Sequence, residues 1–312
     1  MRSGAFIGVL QVIILSLFVM FLAFVNTYYA DTASMSLNVG NVAPSISNVQ
    51  ISNFSSLSAH EYNHLVVCTF DVYDANGYSD ISTASANFSL SGRTAGADED
   101  THYTPSPACT KTQGGSNTAN VRCRFLVDYY ADYGTWYCYP YTSDSSGAHD
   151  DSPTQSATSP SLVTIEINGT YPGGGNNPGN DLDFGSIAAG QNSSVANFTK
   201  IINVGNRQVD VQISGTDLTG SGTIDSTNIT FNKSVYGGPT KVGSKSADPD
   251  SSPRQLESSA WSWADFNLRD RADTDSNFYT GPTKTIAWKV RVPTGTATGS
   301  YSGTLTITGV AG

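Results

Sequence analysis

Charge is scarce in this sequence. Of its 312 residues only 13% are charged, and 16 Lys and Arg against 26 Asp and Glu give a formal net charge of −10. Nucleic-acid binding proteins carry clustered basic side chains that neutralise phosphates, so this balance argues against nucleic acid as a partner. Ser, Thr, Asn and Gly are abundant instead, and they are poor helix formers. The 16 Tyr and 13 Phe favour strands, and the composition predicts an exported, all-β protein.

Motifs of catalysis are also missing. The four His, at positions 60, 64, 102 and 149, form no H-E-x-x-H pair. The sequence has no nucleophile elbow, phosphate-binding loop or dinucleotide fingerprint. We therefore expect no catalytic residues and no enzymatic activity. A hydrolase on a sandwich scaffold stays as a remote alternative, because a pair of catalytic carboxylates has no sequence motif.

A long apolar run lies near the start of the chain. Residues 4–25 read GAFIGVLQVIILSLFVMFLAFV and contain no charge. A helix of about 20 apolar residues crosses the hydrocarbon core of a bilayer, and basic residues stay on the cytoplasmic side. With Arg2 as the only early basic residue, the run predicts an uncleaved signal anchor. We expect this anchor to be a single-pass helix in the cell membrane, with the N-terminus cytoplasmic and residues 30–312 extracellular.

Two other interpretations of this segment stay open. The first is a secretory signal peptide that is cleaved after residues 28–30. The sequence there, YYA, is a poor signal-peptidase site, because a bulky Tyr stands where a small residue is required. The sequence RSGA at residues 2–5, before an apolar helix, resembles the leaders of archaeal pilins. That resemblance implies a filament subunit whose helix packs with copies of itself. Every interpretation places the rest of the chain outside the cytoplasm.

Composition divides the chain into segments. Residues 170–180 are mostly Gly, Pro and Asn, which do not sustain a strand or helix and predict a flexible joint. A shorter polar stretch after the apolar run is either a linker or a strand. The predicted segments are the apolar helix 1–30, the juxtamembrane linker or strand 31–43, a first domain 44–168, the Gly/Pro/Asn linker 169–180 and a second domain 181–312.

Short runs in both domains alternate apolar and polar residues, as half-buried strands do. The inward sets of the first domain are Val66, Cys68, Phe70 and Val72; Val121, Cys123, Phe125 and Val127; Trp136 and Cys138; and Val163, Ile165 and Ile167. In the second domain, the alternating run at Ile286, Trp288 and Val290 begins a predicted C-terminal hairpin that returns through residues 301–308. These patterns predict two antiparallel, immunoglobulin-like β-sandwiches.

Several segments carry family resemblances. Residues 132–138, DYGTWYC, resemble the immunoglobulin strand-F pattern, with Trp136 in place of the corner tyrosine and Phe88 in place of the usual strand-C tryptophan. The chain also resembles archaeal membrane-anchored cell-surface proteins with immunoglobulin- or PKD-like domains, in segments 39–52, 71–81, 130–147, 184–206 and 292–309. This resemblance implies a surface location and a non-catalytic, structural or adhesive role.

The four Cys all lie in the first domain. An even number in an exported domain predicts two disulfides, for which three pairings exist. We favour Cys68–Cys138, because both occupy inward positions on strands expected to face each other. That pairing leaves Cys109–Cys123. The absence of any C-x-x-C spacing argues against zinc.

Oxygen-bearing side chains cluster around residues 74–80. Asp74, Asn76 and Asp80 have the close spacing of a calcium loop, although the closing Glu of a twelve-residue loop is absent. Asn76-Gly77 is also a tight-turn signal. The pattern favours a turn, and weak calcium binding by the three side chains is the competing hypothesis.

Further features concern contacts outside the cell. Trp261 and Trp263 stand in a stretch without clear periodicity, where paired aromatics either stack on glycans or close a sandwich core. N-x-S/T sequons permit glycosylation, but in so Ser/Thr-rich a chain they do not demonstrate it; they lie at Asn53, Asn87, Asn168, Asn192, Asn197, Asn228 and Asn232. The expected partners are the membrane, through residues 4–25, and a surface protein or glycan, with self-association in the filament alternative.

Overall fold

The computed structural model describes residues 4–25, 33–52, 54–92, 100–152, 154–167, 181–194, 197–233, 249–250, 252–270 and 282–312. Its contacts group the chain into two compact units, Met1–Asn41 and Val42–Gly312. Strands dominate the described residues of the second unit. The all-β class predicted from the composition is confirmed.

The first unit contains helix α1, Gly4–Val25, whose sequence lacks Pro and charge. The apolar side chains described along it, from Val9 to Leu22, are exposed, and the polar Gln11 and Ser16 stand among them. Within α1 the side chains are described over residues 8–22. Over the residues described in this way, no helix is both long enough and apolar enough to cross a membrane. Residues 33–43 form no strand.

Two sheets form the first sandwich, residues 42–160. One has the strand order β1-β2-β6-β5 and the other the order β4-β3-β7-β8, with β9 also paired to β7. The strands are β1 (Ser45–Ser52), β2 (His64–Tyr73), β3 (Ile81–Leu90), β4 (His102–Tyr103), β5 (Thr110–Gln113), β6 (Thr118–Val127), β7 (Gly134–Asp144), β8 (His149–Asp150) and β9 (Gln155–Ser159). All described pairings within these sheets are antiparallel.

The core of the first sandwich lies between these sheets and follows the alternation of the sequence. The inward sets predicted on β2, β6 and β7 are buried, whereas their neighbours along each strand are more exposed. Disulfides join Cys68 to Cys138 and Cys109 to Cys123, which is the favoured pairing. The first bond connects β2 to β7 and so links the two sheets across the core.

The second sandwich, residues 161–312, has sheets of order β10-β11-β18-β15-β16 and β17-β12-β20, with a small sheet β14-β13-β19. Its strands are β10 (Ile165–Ile167), β11 (Asn197–Asn203), β12 (Val209–Gly215), β13 (Leu218–Gly220), β14 (Thr223–Ile224), β15 (Ile229–Lys233), β16 (Arg254–Gln255), β17 (Trp261–Leu268), β18 (Thr283–Val290), β19 (Tyr301–Ser302) and β20 (Leu305–Ala311). A core around Trp263, Phe231 and Trp288 fills the space between the two larger sheets.

Two predictions about the second half need correction. The first domain was predicted to reach residue 168, but β10 pairs with β11 and therefore belongs to the second sandwich. The predicted C-terminal hairpin is wrong, because β18 pairs with β11 and β15 whereas β20 pairs with β12 in another sheet. Alternation identifies the strands but not their partners. The predicted linker 169–180 lies outside the described residues.

The two sandwiches meet at a junction that is built around Asn206. This side chain is fully buried. Its Nδ2 donates to the carbonyl oxygens of Ala131 and Pro160, each at 3.0 Å, and its Oδ1 accepts from the N–H of Leu162 at 2.8 Å. The amide thus connects the end of the first sandwich, the passage between the two and the β11–β12 turn.

Aromatic side chains pack beside this amide. Tyr129 and Tyr130 form a buried cluster with Ile202 and Val204 of the second sandwich, and Tyr62 packs against it. The N–H of His60 donates to the carbonyl oxygen of Val204 at 3.1 Å. The junction therefore combines apolar burial with hydrogen bonds, which opposes free hinging of the sandwiches.

Candidate metal centre

Three aspartates converge at the end of the first sandwich remote from the junction. Asp74 follows β2, Asp80 immediately precedes β3, and Asp144 ends β7. One carboxylate oxygen of each lies within 4.8 Å of the others. The register of β3 against β7 pairs Ile81 with Asp144, which explains why Asp80 and Asp144 meet although 64 residues separate them in the sequence.

The loop that carries Asp74 is held by hydrogen bonds to its backbone carbonyl groups. The Asn117 side chain donates to the carbonyl oxygens of Asp74 and Ala75, at 2.9 and 3.0 Å. Gly77 has φ +115°, a conformation that L side chains rarely adopt. The Asn76-Gly77 turn is therefore real, but it connects β2 in one sheet to β3 in the other and is not a hairpin turn.

Burial distinguishes this cluster from ordinary surface acids. Asp74 is 0% and Asp144 3% exposed, and Asp80 is half-buried. Asp74 Oδ1 accepts the N–H of Asn76 at 2.8 Å, whereas Asp74 Oδ2 is buried and has no hydrogen-bond partner. Among the described residues, no ion pair is formed by Asp74 or Asp80.

The other two carboxylates cap the same turn. Asp144 Oδ1 accepts the N–H groups of Ser146 and Ala148, each at 2.9 Å, and Asp80 Oδ1 accepts from the Ser145 hydroxyl. Lys111 lies nearby, but its ammonium donates to the carbonyl oxygen of Ile81 and lies over the Tyr78 ring at 5.1 Å from the centroid.

Two of these three residues, Asp74 and Asp80, are among the calcium ligands predicted from the sequence. Asp74 and Asp80 are brought together as the calcium hypothesis requires, whereas the amide oxygen of Asn76 accepts the N–H of Val42 at 2.8 Å. Asp144 was missed because residues 144–151 look like a polar loop. The available signal was the sequence DSSG at 144–147, in which Asp caps a turn that closes on Gly.

The tryptophan pair lies elsewhere, and for Trp263 the burial favours the core alternative over glycan stacking. Both residues belong to strand β17, and Trp263 is only 1% exposed, with its ring centroid 5.1 Å from that of Phe266. The guanidinium of Arg254 lies over the Trp261 ring at 4.0 Å from the centroid. Trp263 is therefore a core residue that a sugar cannot reach.

The sequons differ in accessibility. Asn87 and Asn192 are exposed, and their side chains are open to modification. Asn197 and Asn228 use their amides in hydrogen bonds to Asp183 and Asp225 carbonyl oxygens, at 2.7 and 3.2 Å. The Asn232 Oδ1 atom is buried. Asn53 and Asn168 lie outside the described residues.

Comparison of the chain with protein-family models and with curated proteins found no match.

Proposed function

We propose that this protein is a non-catalytic surface protein, anchored in the cell membrane by residues 4–25, with the two sandwiches as a stiff extracellular body. Its role is structural or adhesive, through contacts with other surface molecules. The observation that carries the structural role is the junction around the buried amide of Asn206. Such a junction fixes the distance and the angle between the two sandwiches, as a structural role requires.

The helix supports the anchor. Its 22 residues correspond to about 33 Å at 1.5 Å per residue, close to the hydrocarbon thickness of a bilayer. Its described apolar side chains are exposed on all sides, and water is a poor solvent for such a surface. The two disulfides support an extracytoplasmic body, because thiols in the cytoplasm are kept reduced.

The first sandwich further supports an immunoglobulin-like assignment. In its sheets β1-β2-β6-β5 and β4-β3-β7-β9, the strand order corresponds to ABED and C′CFG. The Cys68–Cys138 bond then links strands B and F. Trp136 donates from its indole nitrogen to the carbonyl oxygen of Asp132 at 2.8 Å, which is the kind of contact that a corner tyrosine makes.

A charge inserted into the helix tests the anchor. The double variant Ile14→Lys/Phe18→Lys should leave the membrane fraction after carbonate extraction, because each Lys costs about 2.5–3.5 kcal/mol at the centre of a span. The matched control is Met35→Lys/Leu37→Lys, which adds the same charge at exposed positions after the helix. Wild type and control should stay in the membrane with the body open to protease added outside the cell; a soluble wild type with an intact N-terminus would contradict the anchor.

A filament subunit is the second candidate, because a bundle of α1 helices would cover the same exposed apolar side chains. Mass spectrometry of the mature N-terminus separates the two. A chain beginning at Ala5 supports pilin-type processing, whereas an intact Met1 or Arg2 supports the anchor.

A further inference from the structure

We propose that Asp74, Asp80 and Asp144 together bind one calcium ion, which joins the two sheets of the first sandwich at the end remote from the junction. This inference does not depend on the surface role proposed above.

Uncompensated burial is the first argument. Two of the three side chains are almost fully buried, and the Asp74 Oδ2 atom has no hydrogen-bond partner. A buried carboxylate is costly unless its charge is paired and both of its oxygens are hydrogen-bonded, so such groups are normally paired with a cation or bound to a metal ion. A divalent cation among the three oxygens would supply the missing partner.

Distance and chemistry are the second argument. Calcium binds oxygen at 2.3–2.6 Å, so two ligands on opposite sides of one ion lie about 4.6–5.2 Å apart. The three oxygens lie within 4.8 Å of one another and fit around one such ion without large movement. Magnesium dehydrates reluctantly and is usually held by one or two carboxylates together with waters or phosphates, and the site offers neither the nitrogen nor the sulfur that zinc prefers.

The site lies between the two sheets of the first sandwich, and this position determines what a bound ion would do. Asp74 extends from a strand of one sheet, whereas Asp80 and Asp144 flank strands of the other. At the same end the Val42 N–H bonds to Asn76, where the chain enters the sandwich. Strand β2 runs from the junction side at His64 to Tyr73, so about 30 Å separates the two ends. The ion would thus stiffen the end of the first sandwich at which Val42 lies, whereas the Asn206 contacts stiffen the opposite end, at the junction.

Calorimetry on the purified full-length chain in detergent, stripped with EDTA and titrated with calcium chloride, tests this proposal. We expect one site per chain with a dissociation constant of about 0.1–1 mM, as in extracellular modules. Calcium at 10 mM should raise the melting temperature by about 4–8 °C.

The variants are Asp80→Asn and Asp144→Asn, because an Asn oxygen still accepts the turn hydrogen bonds. Each should weaken calcium binding at least tenfold and remove the melting shift, while raising the melting temperature in EDTA by relief of repulsion. The matched control, Asp265→Asn, alters an exposed carboxylate on β17 and should bind as wild type does. The proposal would be overturned if the wild type gave no heat of binding and no rise in melting temperature at 10 mM calcium. It would also be overturned if the two variants bound calcium as tightly as the wild type.

Discussion

The side chain of Asn206, in the second sandwich, donates a hydrogen bond of 3.0 Å to the backbone carbonyl oxygen of Ala131, in the first. Both residues are 0% exposed, so the two atoms of this hydrogen bond are shielded from water. The bond therefore acts in a low-dielectric environment, where a lost partner is costly.

Asn206→Asp should destabilise the body by about 3 kcal/mol or more. The substitution replaces a donor by an acceptor and places a carboxylate against the carbonyl oxygens of Ala131 and Pro160. Urea unfolding measures the change in free energy. Asn192→Asp makes the same substitution at an exposed position and should change stability by less than about 0.5 kcal/mol. Equal effects of the two would contradict the role of the junction.

Gly205→Ala should destabilise the body by about 1–3 kcal/mol. A Cβ atom at this position would overlap the carbonyl oxygen of Leu162, so the passage between the sandwiches must shift. The control is Gly222→Ala, whose new Cβ meets its nearest atom, the Tyr301 hydroxyl, at an ordinary 3.4 Å. Limited proteolysis around residues 160–165 should be faster in Gly205→Ala and unchanged in the control.

Loss of the inter-sheet disulfide should cost more than loss of the local one. In the loop-entropy description, the separation of 70 residues between Cys68 and Cys138 corresponds to about 4 kcal/mol. The separation of 14 between Cys109 and Cys123 corresponds to about 3 kcal/mol. Urea unfolding of the two double Ala variants measures both values, and a larger loss for the Cys109/Cys123 pair would contradict the expectation.

Stability should fall in acid, partly through Asp150. Partial burial raises the pKa of this carboxyl, but hydrogen bonds from the N–H groups of Ile46 and Ser152 outweigh it and hold the pKa below its ordinary 3.8. A lowered folded-state pKa contributes stability that is fully present above the unfolded value and is lost as the pH falls through the folded value. Unfolding free energies at pH 6 and pH 2.5 should therefore differ less in Asp150→Asn than in wild type, and an identical difference would argue against this role.

Glu61 acts in the same direction. Burial raises the pKa of its carboxyl, but bonds from His64 and Ser58 outweigh that and lower it. Its contribution is likewise present above the ordinary value of 4.5 and lost as the pH falls through the folded value. Residual acid sensitivity in Asp150→Asn is therefore expected.

Local pattern was sufficient for the strands of the first sandwich. Val66 and Phe70 on β2, and Val121 and Phe125 on β6, are buried as their alternation predicts, because a strand faces its core with every second residue. The preference for Cys68–Cys138 followed from the same alternation. These features depend on a few consecutive residues, which a single sequence displays directly.

Pairing between distant strands could not be read in this way. Asp144 joins Asp80 only because β7 pairs with β3, and Trp263 is buried only because β17 closes a sheet over Phe231. β10 shows the same limit, since its apolar residues fit either sandwich and its partner β11 decides between them. Non-local contacts select among strand partners that are equally apolar.

The bond between Cys68 and Cys138 also bears on how the body would respond to a pulling force. A chain stretched between its two ends cannot lengthen across a covalent bridge, so the 70 residues from one cysteine to the other stay folded back under load. At about 3.4 Å per extended residue, the bridge withholds roughly 240 Å of extension. Residues 139–312 contain no cysteine, so the second sandwich would supply most of the extension under load.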